Sequence, residues 1–431
     1  FAKSEFVGYE TTKISTKIIK IFPDGIVLEK TPFYATSGGQ VSDTGTIGNN
    51  DFSLSVTDVS KLPNGQFIHA FDTIFGTPSE GTEVYAAIDE TRREEIARHH
   101  SATHLLFKAL RDVLGDHVSQ QGSQVSEESL RFDFNHYEMP TDEEILKVES
   151  IVRKMISESH KAHTDIVTVE EAVKKGAIAE FGEKYGDNVR MVNLYYTLDL
   201  CGGTHVKDIA DIGNFAIKSI FSIGSGIYRI EALADKAVSR LPEAYANIDI
   251  ELMNIKDRIA EILKSAKSEG LKIEYVEPVF PQLEGGYRDI LAKREEFRLM
   301  QEKIKEMDKE YQRLLYDKKA IDIAPYLKLA KNNRVVAEIK GASIDQLKQL
   351  ADNLSNNLEN GFVMLASLID ADKIMFVAKS KNKNLHAGNL VKKAAQICGG
   401  NGGGRPDFAQ AGGKDAEKLA EALDEVRKAL L

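Results

Sequence analysis

Four side chains stand out for the chemistry that their types and spacing permit. His100 and His104 are four apart in Arg98-His99-His100-Ser101-Ala102-Thr103-His104-Leu105-Leu106, and Cys201 and His205 are four apart in Leu200-Cys201-Gly202-Gly203-Thr204-His205. On a helix that spacing stacks two imidazoles on one face, close enough to share a cation. Three imidazoles and one thiolate form a zinc-type donor set. An HxxxH pair alone is more often two satisfied polar histidines, and a lone cysteine is usually inert packing. Taken together, with Cys201 one of only two cysteines in the chain, the two pairs predict one Zn2+ held by His100, His104, Cys201 and His205.

The elements that must position these residues follow from local pattern. A helix is expected from Asp89, its N-cap, to Gly115, its C-cap, with Ile96, Thr103, Leu106, Leu110 and Val113 on its buried face. Before it, residues 1–90 read as short strands: Lys17–Phe22 and Ile26–Lys30 flank Pro23-Asp24-Gly25, alternation at Phe52, Leu54 and Val56 precedes the Asn64-Gly65 turn, and Val84–Ile88 follows. That predicts a small β-barrel. Its Thr31–Gly45 loop is polar and glycine-rich, suited to close approach of backbone to a ligand.

Residues 91–235 mix strands and helices without regular alternation, which predicts an α+β domain around the zinc site. Thr141–His163 and Val167–Lys175 read as helices within it. Residues 236–330 carry a heptad pattern, with Tyr245, Ile248, Leu252, Ile255, Ile259 and Ile262 in one segment and Phe297, Met300, Ile304, Met307, Tyr311 and Leu314 in another. The two segments should form a linker that is either an antiparallel helical hairpin or a zipper to another subunit. Residues 331–431 are expected to be an α/β domain. Its Gly399–Gly413 run should be a flexible surface of exposed amides suited to anionic or polar ligands. Walker A spacing is absent there.

Composition narrows the class. The chain has 431 residues, 42% hydrophobic and 28% charged, which suits an ordinary soluble protein of several domains. It contains no apolar run of the ~20 residues that a membrane span needs. With two cysteines and no disulfide framework, a reducing cytoplasm is the expected compartment. The first residue is Phe1 rather than methionine, so a piece of a longer protein is expected. A net charge of -10 argues against a generic nucleic-acid coat, yet residues 331–431 hold 15 Lys and Arg against 12 Asp and Glu, net +3, which permits RNA contact.

His100-Ser-Ala-Thr-His104, Cys201-Gly-Gly-Thr-His205, the Thr31–Gly45 loop and the Gly402-Gly-Gly-Arg-Pro-Asp407 to Gly413 run, in this order, resemble the post-catalytic half of bacterial alanyl-tRNA synthetases. The resemblance covers essentially the whole chain, and the linker is placed by order only. It implies an editing region, a helical linker and a DHH-associated C-terminal domain, without the aminoacylation domain. The implied activity is hydrolysis of tRNA(Ala) mischarged with serine or glycine. A pocket for alanine discriminates against either by only ~1 to 3 kcal/mol, so a second site is needed. By resemblance the four zinc ligands carry over and Thr103 and Gln120 border the editing pocket; Thr31 is a further candidate partner for the serine hydroxyl. Arg405, Lys392 and Lys393 are expected to contact tRNA, and the linker and C-terminal domain to support a homodimer. The alternatives are a free-standing trans-editing factor and a non-enzymatic, zinc-stabilised RNA-binding and dimerisation module.

Overall fold

Alternating apolar and polar residues over the first 90 positions give strands whose inward sides close on one another. The computed structural model describes residues 3–178, 188–370 and 372–431. The strands are β1 (Glu5–Phe6), β2 (Lys13–Phe22), β3 (Gly25–Leu28), β4 (Lys30–Thr31), β5 (Gly45–Gly48), β6 (Ser53–Lys61), β7 (Phe67–Phe75) and β8 (Glu83–Ile88). Six of them close a barrel in the order β2-β3-β7-β6-β5-β8, around Ile18, Ile26, Leu28, Phe33, Ile47 and Leu54. Closure leaves those six strands without a free edge.

The metal-pair helix is α1 (Glu90–Leu114), with the expected caps: Asp89 accepts from Arg92 N, and Gly115 ends it at φ 115°. There follow β9 (Gln120–Val125), β10 (Leu130–Asn135), α2 (Asp142–Ser157), β11 (His163–Thr168), α3 (Val169–Lys174), β12 (Asn188–Asn193), β13 (Leu198–Leu200), β14 (Phe215–Gly224) and β15 (Ile227–Ala234). These form an antiparallel sheet β14-β15-β10-β9 and a smaller one β11-β12-β13. Leu105, Leu106 and Leu110 of α1 join Val148 and Val152 of α2 and Phe132 and Phe134 of β10 in one core. The two helices expected after residue 141 are shorter than their pattern suggested. Ser159 takes φ 50° just past the end of α2, and His163 together with the β-branched Val167 and Thr168 pairs with β12 instead of being helical.

Helices α4 (Ala246–Ser268) and α5 (Tyr287–Lys319) carry the two heptad segments. Contacts divide the chain into Phe1–Lys256 with Val276–Glu302, and Asp257–Tyr275 with Lys303–Leu431, so each helix contributes to both units. The expectation of an antiparallel hairpin is corrected: the helices run in the same direction. In the second unit Arg258 pairs with Asp308 at 3.4 Å and, further along both helices, Glu269 pairs with Lys318 at 3.0 Å. In the first unit Asp249 meets Lys293 at 2.8 Å, near both helix starts. The reason is the connector between them. Extended chain of this length reaches ~50 Å, ample to return along a helix of ~35 Å.

In the second unit, α6 (Ala324–Leu327), β16 (Arg334–Glu338), α7 (Ile344–Asn356), β17 (Phe362–Asp370), β18 (Lys373–Ser380), α8 (Ala387–Ile397), β19 (Asn401–Gly404), β20 (Phe408–Gly413) and α9 (Leu419–Ala429) complete the chain. The sheet order is β16-β17-β18-β20-β19. Ala371, in the turn expected between β17 and β18, lies outside the described residues. Only β16 and β17 pair in parallel, across α7, so the α/β expectation holds for that crossover and the remaining pairs are antiparallel. The glycine run is corrected too. Most of it forms the β19–β20 hairpin, where a Cβ on Gly400, Gly402 or Gly404 would overlap the partner strand.

Candidate metal centre and its cavity

Two neighbouring arginines hold α1 against the barrel loop between β4 and β5. Arg93 is buried, and its guanidinium forms a two-pronged pair with Asp43 while donating to the carbonyls of Gly8 at 2.7 Å and Pro32 at 3.0 Å. Asp43 also accepts from Tyr34 N at 2.7 Å, so both buried charges are saturated with partners, as burial requires. Arg92 donates to Ser42 O at 2.6 Å, and Val41 and Gly39 exchange backbone bonds with Val125 of β9. On the far side of α1, His99 is fully buried and accepts from Ala234 N at 3.0 Å, fixing the helix to β15.

This frame brings the four predicted ligands together. The donor atoms of His100, His104, Cys201 and His205 lie within 4.8 Å of one another. Cys201 Sγ is 3.3 Å from His100 Nε2 and 3.4 Å from His205 Nε2, near the ~3.5 Å spacing of S and N donors sharing a four-coordinate ion. His104 Nε2 is buried with no hydrogen-bond partner among the described residues.

Each imidazole is held by its other nitrogen. His100 Nδ1 meets Gln40 Oε1 at 2.7 Å, His104 Nδ1 meets Asp199 at 3.2 Å, and His205 Nδ1 meets Ser101 Oγ at 3.1 Å. Such partners fix the orientation that turns a ring nitrogen toward an ion.

The chemistry of the donors agrees with a cation site. Burial alone would raise the Cys201 thiol, but the imidazoles of His100, His205 and His104 outweigh it and hold the group well below the usual thiol range. Burial pushes His205 down to about 3, against the pull of Cys201, so its ring is neutral. Burial also acts to lower His104, yet Asp199 and Cys201 carry it well above the ordinary imidazole value, so a proton and a cation compete there. Gly203 makes the approach possible, since a Cβ there would overlap the His100 ring. Its loop is shaped from outside by Arg190, which donates to the carbonyls of Cys201 at 2.9 Å and Gly203 at 2.8 Å and lies over the Tyr9 ring at 4.2 Å.

A cavity of about 160 Å³ opens beside the cluster. Thr103 and Gln120, both expected here, line it together with Asp199 and Ser123, while Phe107 and Phe132 supply an apolar wall. Thr103 Oγ1 donates to His99 O at 2.8 Å, which leaves its lone pairs as acceptors.

Thr31 does not reach this cavity. It is fully buried in the barrel, bonded to His69 Nε2 at 2.7 Å and to Phe33 N at 3.1 Å. Arg405, Lys392 and Lys393 lie in the second unit and are exposed; Arg405 pairs with Asp407 at 3.3 Å and Lys393 with Glu425 at 3.4 Å. Sequence reasoning missed Asp199, Gln40 and Ser101. Asp199 had a usable signal: it stands two residues before Cys201 beside a strand, where residues two apart share a face. Gln40 had none, being 60 residues from His100.

Comparison with known proteins adds to this geometry. The family described as "Threonyl and Alanyl tRNA synthetase second additional domain" matches residues 181–231, "tRNA synthetases class II (A)" matches residues 2–92, and the DHHA1 domain matches residues 331–431. The alanine--tRNA ligase of Acholeplasma laidlawii (strain PG-8A) is 40% identical over 419 residues, covering 96% of this chain and 47% of the relative. That of Bacillus subtilis (strain 168) is 37% identical over 444 residues, 98% of this chain and 47% of the relative. The crystal structure of the C-Ala domain from Aquifex aeolicus alanyl-tRNA synthetase shares 32% identity over 21% of this chain and 85% of its own, with a TM-score of 0.20, a likeness of sequence rather than of superposed fold. The chain spans about half the length of the curated relatives it matches. Aligned with those relatives over nearly all of its own length, it belongs to the alanyl-tRNA synthetase family.

Proposed function

We propose that this chain is the editing portion of an alanyl-tRNA synthetase, hydrolysing the ester of tRNA(Ala) mischarged with serine or glycine in the cytoplasm, with Zn2+ held by His100, His104, Cys201 and His205. The observation that carries the reading is the small cavity in which a four-donor cluster adjoins Thr103, Gln120 and Asp199. A thiolate with three imidazoles favours zinc over hard cations. With four protein donors, the ion would serve as a fixed positive template for the substrate's 3′ end rather than as a source of activated water.

The chain's own residues do the rest. Phe107 and Phe132 exclude water from one wall, where the aminoacyl group packs. Thr103 accepts from the serine hydroxyl through the lone pairs its bond to His99 leaves available. Gln120 and Ser123 orient the ester and its water from β9. Asp199 accepts from Thr197 at 2.8 Å while lining the cavity, and offers a further acceptor for that water; the neighbouring ribose hydroxyl of the substrate assists the attack. Residues 236–330 act as linker. Residues 331–431, through Arg405, Lys392 and Lys393, contact the tRNA body, and both regions support a homodimer.

The test is deacylation of seryl-tRNA(Ala) by the intact chain, before and after chelation and with zinc restored. Expected is hydrolysis that falls on chelation and returns with zinc. No hydrolysis by a zinc-loaded preparation refutes the reading, and would leave a zinc-stabilised RNA-binding module in its place.

A further inference from the structure

We propose that Gln40 is a positioning residue that sets how tightly the four-donor cluster holds its metal. This rests on the metal reading of the cluster but not on editing activity. Gln40 is fully buried in the loop between β4 and β5, and every polar atom of its side chain is used on the two ligand segments. Oε1 accepts from His100 Nδ1 at 2.7 Å and from Thr204 N at 2.9 Å, and Nε2 donates to Thr204 Oγ1 at 3.0 Å.

The orientation of the amide is determined by chemistry. Thr204 N–H only donates, so the atom facing it must be the oxygen. That same oxygen then requires the proton of His100 on Nδ1, which leaves Nε2 free to face Cys201 Sγ at 3.3 Å. Thr204 stands between Cys201 and His205, so one amide fixes the ring state of a helix ligand and the course of the loop that carries two others.

The barrel loop supplies the rigidity. Gln40 and Ser37 exchange backbone bonds at 2.9 and 3.2 Å, and the flanking Gly39 and Val41 bond to Val125 at 2.7 and 3.0 Å. Gly203 completes the fit, because a Cβ there would also lie 2.9 Å from Gln40 Oε1. The barrel thus contributes no ligand, yet it determines whether His100 presents a lone pair to the ion.

The test compares the wild-type chain with Gln40→Met and Gln40→Glu, measuring zinc affinity by competition with a chromophoric chelator, the visible spectrum of the Co2+-loaded forms, and thermal unfolding of the metal-free forms. Methionine keeps the length without the acceptor. Glutamate keeps both acceptor contacts and lets Thr204 Oγ1 donate in return. Expected is a 10- to 100-fold weaker affinity and a shifted cobalt spectrum in Gln40→Met, the magnitude usual for lost outer partners of a metal site. Gln40→Glu should stay close to wild type in both. Should Gln40→Met fail to unfold cooperatively, Gln40→Asn, one methylene short of His100, is expected to show the same loss. Wild-type affinity in Gln40→Met overturns the proposal, as does equal weakening in Gln40→Glu, which would reduce Gln40 to packing. Absence of stoichiometric zinc in the wild-type chain would instead overturn the metal reading, and this proposal with it.

Discussion

Thr103→Val is expected to lower the preference for seryl over alanyl esters while leaving the metal in place. Thr103 is 5% exposed, one residue before His104, and lines a cavity that Phe107 and Phe132 also line. Its proton goes to His99 O at 2.8 Å, so toward a ligand the hydroxyl can act only as an acceptor and would pair with one that brings its own O–H. Serine does so and alanine does not. Valine keeps the shape and removes only that acceptor; the lost bond to the helix carbonyl costs little, because such back-bonding does not strengthen helices. Leaving a buried hydroxyl unpartnered costs about 1 to 3 kcal/mol, which corresponds to about a 5- to 150-fold fall in the seryl-to-alanyl ratio of kcat/KM. Single-turnover deacylation of the two tRNA(Ala) esters measures it, with zinc content as control and Thr103→Ser expected to retain the preference. An unchanged ratio in Thr103→Val at normal zinc content would refute this reasoning and assign the threonine to helix packing.

Three further outcomes follow from the geometry. Gly203→Ala should lose at least about tenfold in zinc affinity, because its Cβ displaces the His100 ring; a chelator competition giving wild-type affinity contradicts this. His69 should make the barrel acid-sensitive. Burial holds it at about 4, against the pull of the Ile26 carbonyl, while the unfolded chain titrates near 6.5, so the unfolded state binds more protons between those values. Its contribution is fully present above about pH 6.5 and is lost as pH falls toward 4, a change of roughly 3 kcal/mol. The difference in urea midpoint between wild type and His69→Gln should therefore shrink between pH 7 and 4.5, and a constant difference would count against it. Lys392→Ala and Arg405→Ala should each weaken tRNA binding and flatten its salt dependence by up to about 0.9 for every phosphate that is no longer neutralised. Unchanged slopes in filter binding would place the RNA elsewhere.

How far the sequence was legible depended on the range of the interaction. Both ends of α1 were readable, because Asp89 and Gly115 act on backbone within one turn of themselves. The clustering of His100, His104, Cys201 and His205 was readable as well, since each pair carries its own four-residue spacing. Gln40 and Thr31 show the limit. Both sit in or beside the same polar loop, and nothing local distinguishes the one that reaches His100 from the one that bonds His69 within the barrel. The direction of α5 relative to α4 was unreadable for a different reason: a heptad stripe marks which face is apolar and is nearly blind to orientation. In the β19–β20 hairpin, glycines taken for flexibility are sites where two backbones approach too closely for a side chain.

The spacing of the ligand pairs along the chain bears on how the molecule is made. His100 and His104 stand on one helix, whereas Cys201 and His205 follow about 100 residues later, past β10, α2 and β12, so the pairs meet only through long-range closure of the chain. An ion bound by all four would close a loop of that size, and because such a site does not exist in the unfolded chain, its binding free energy would add to folding stability. An ion held there would act as a lock on a finished topology and not as a nucleus for it.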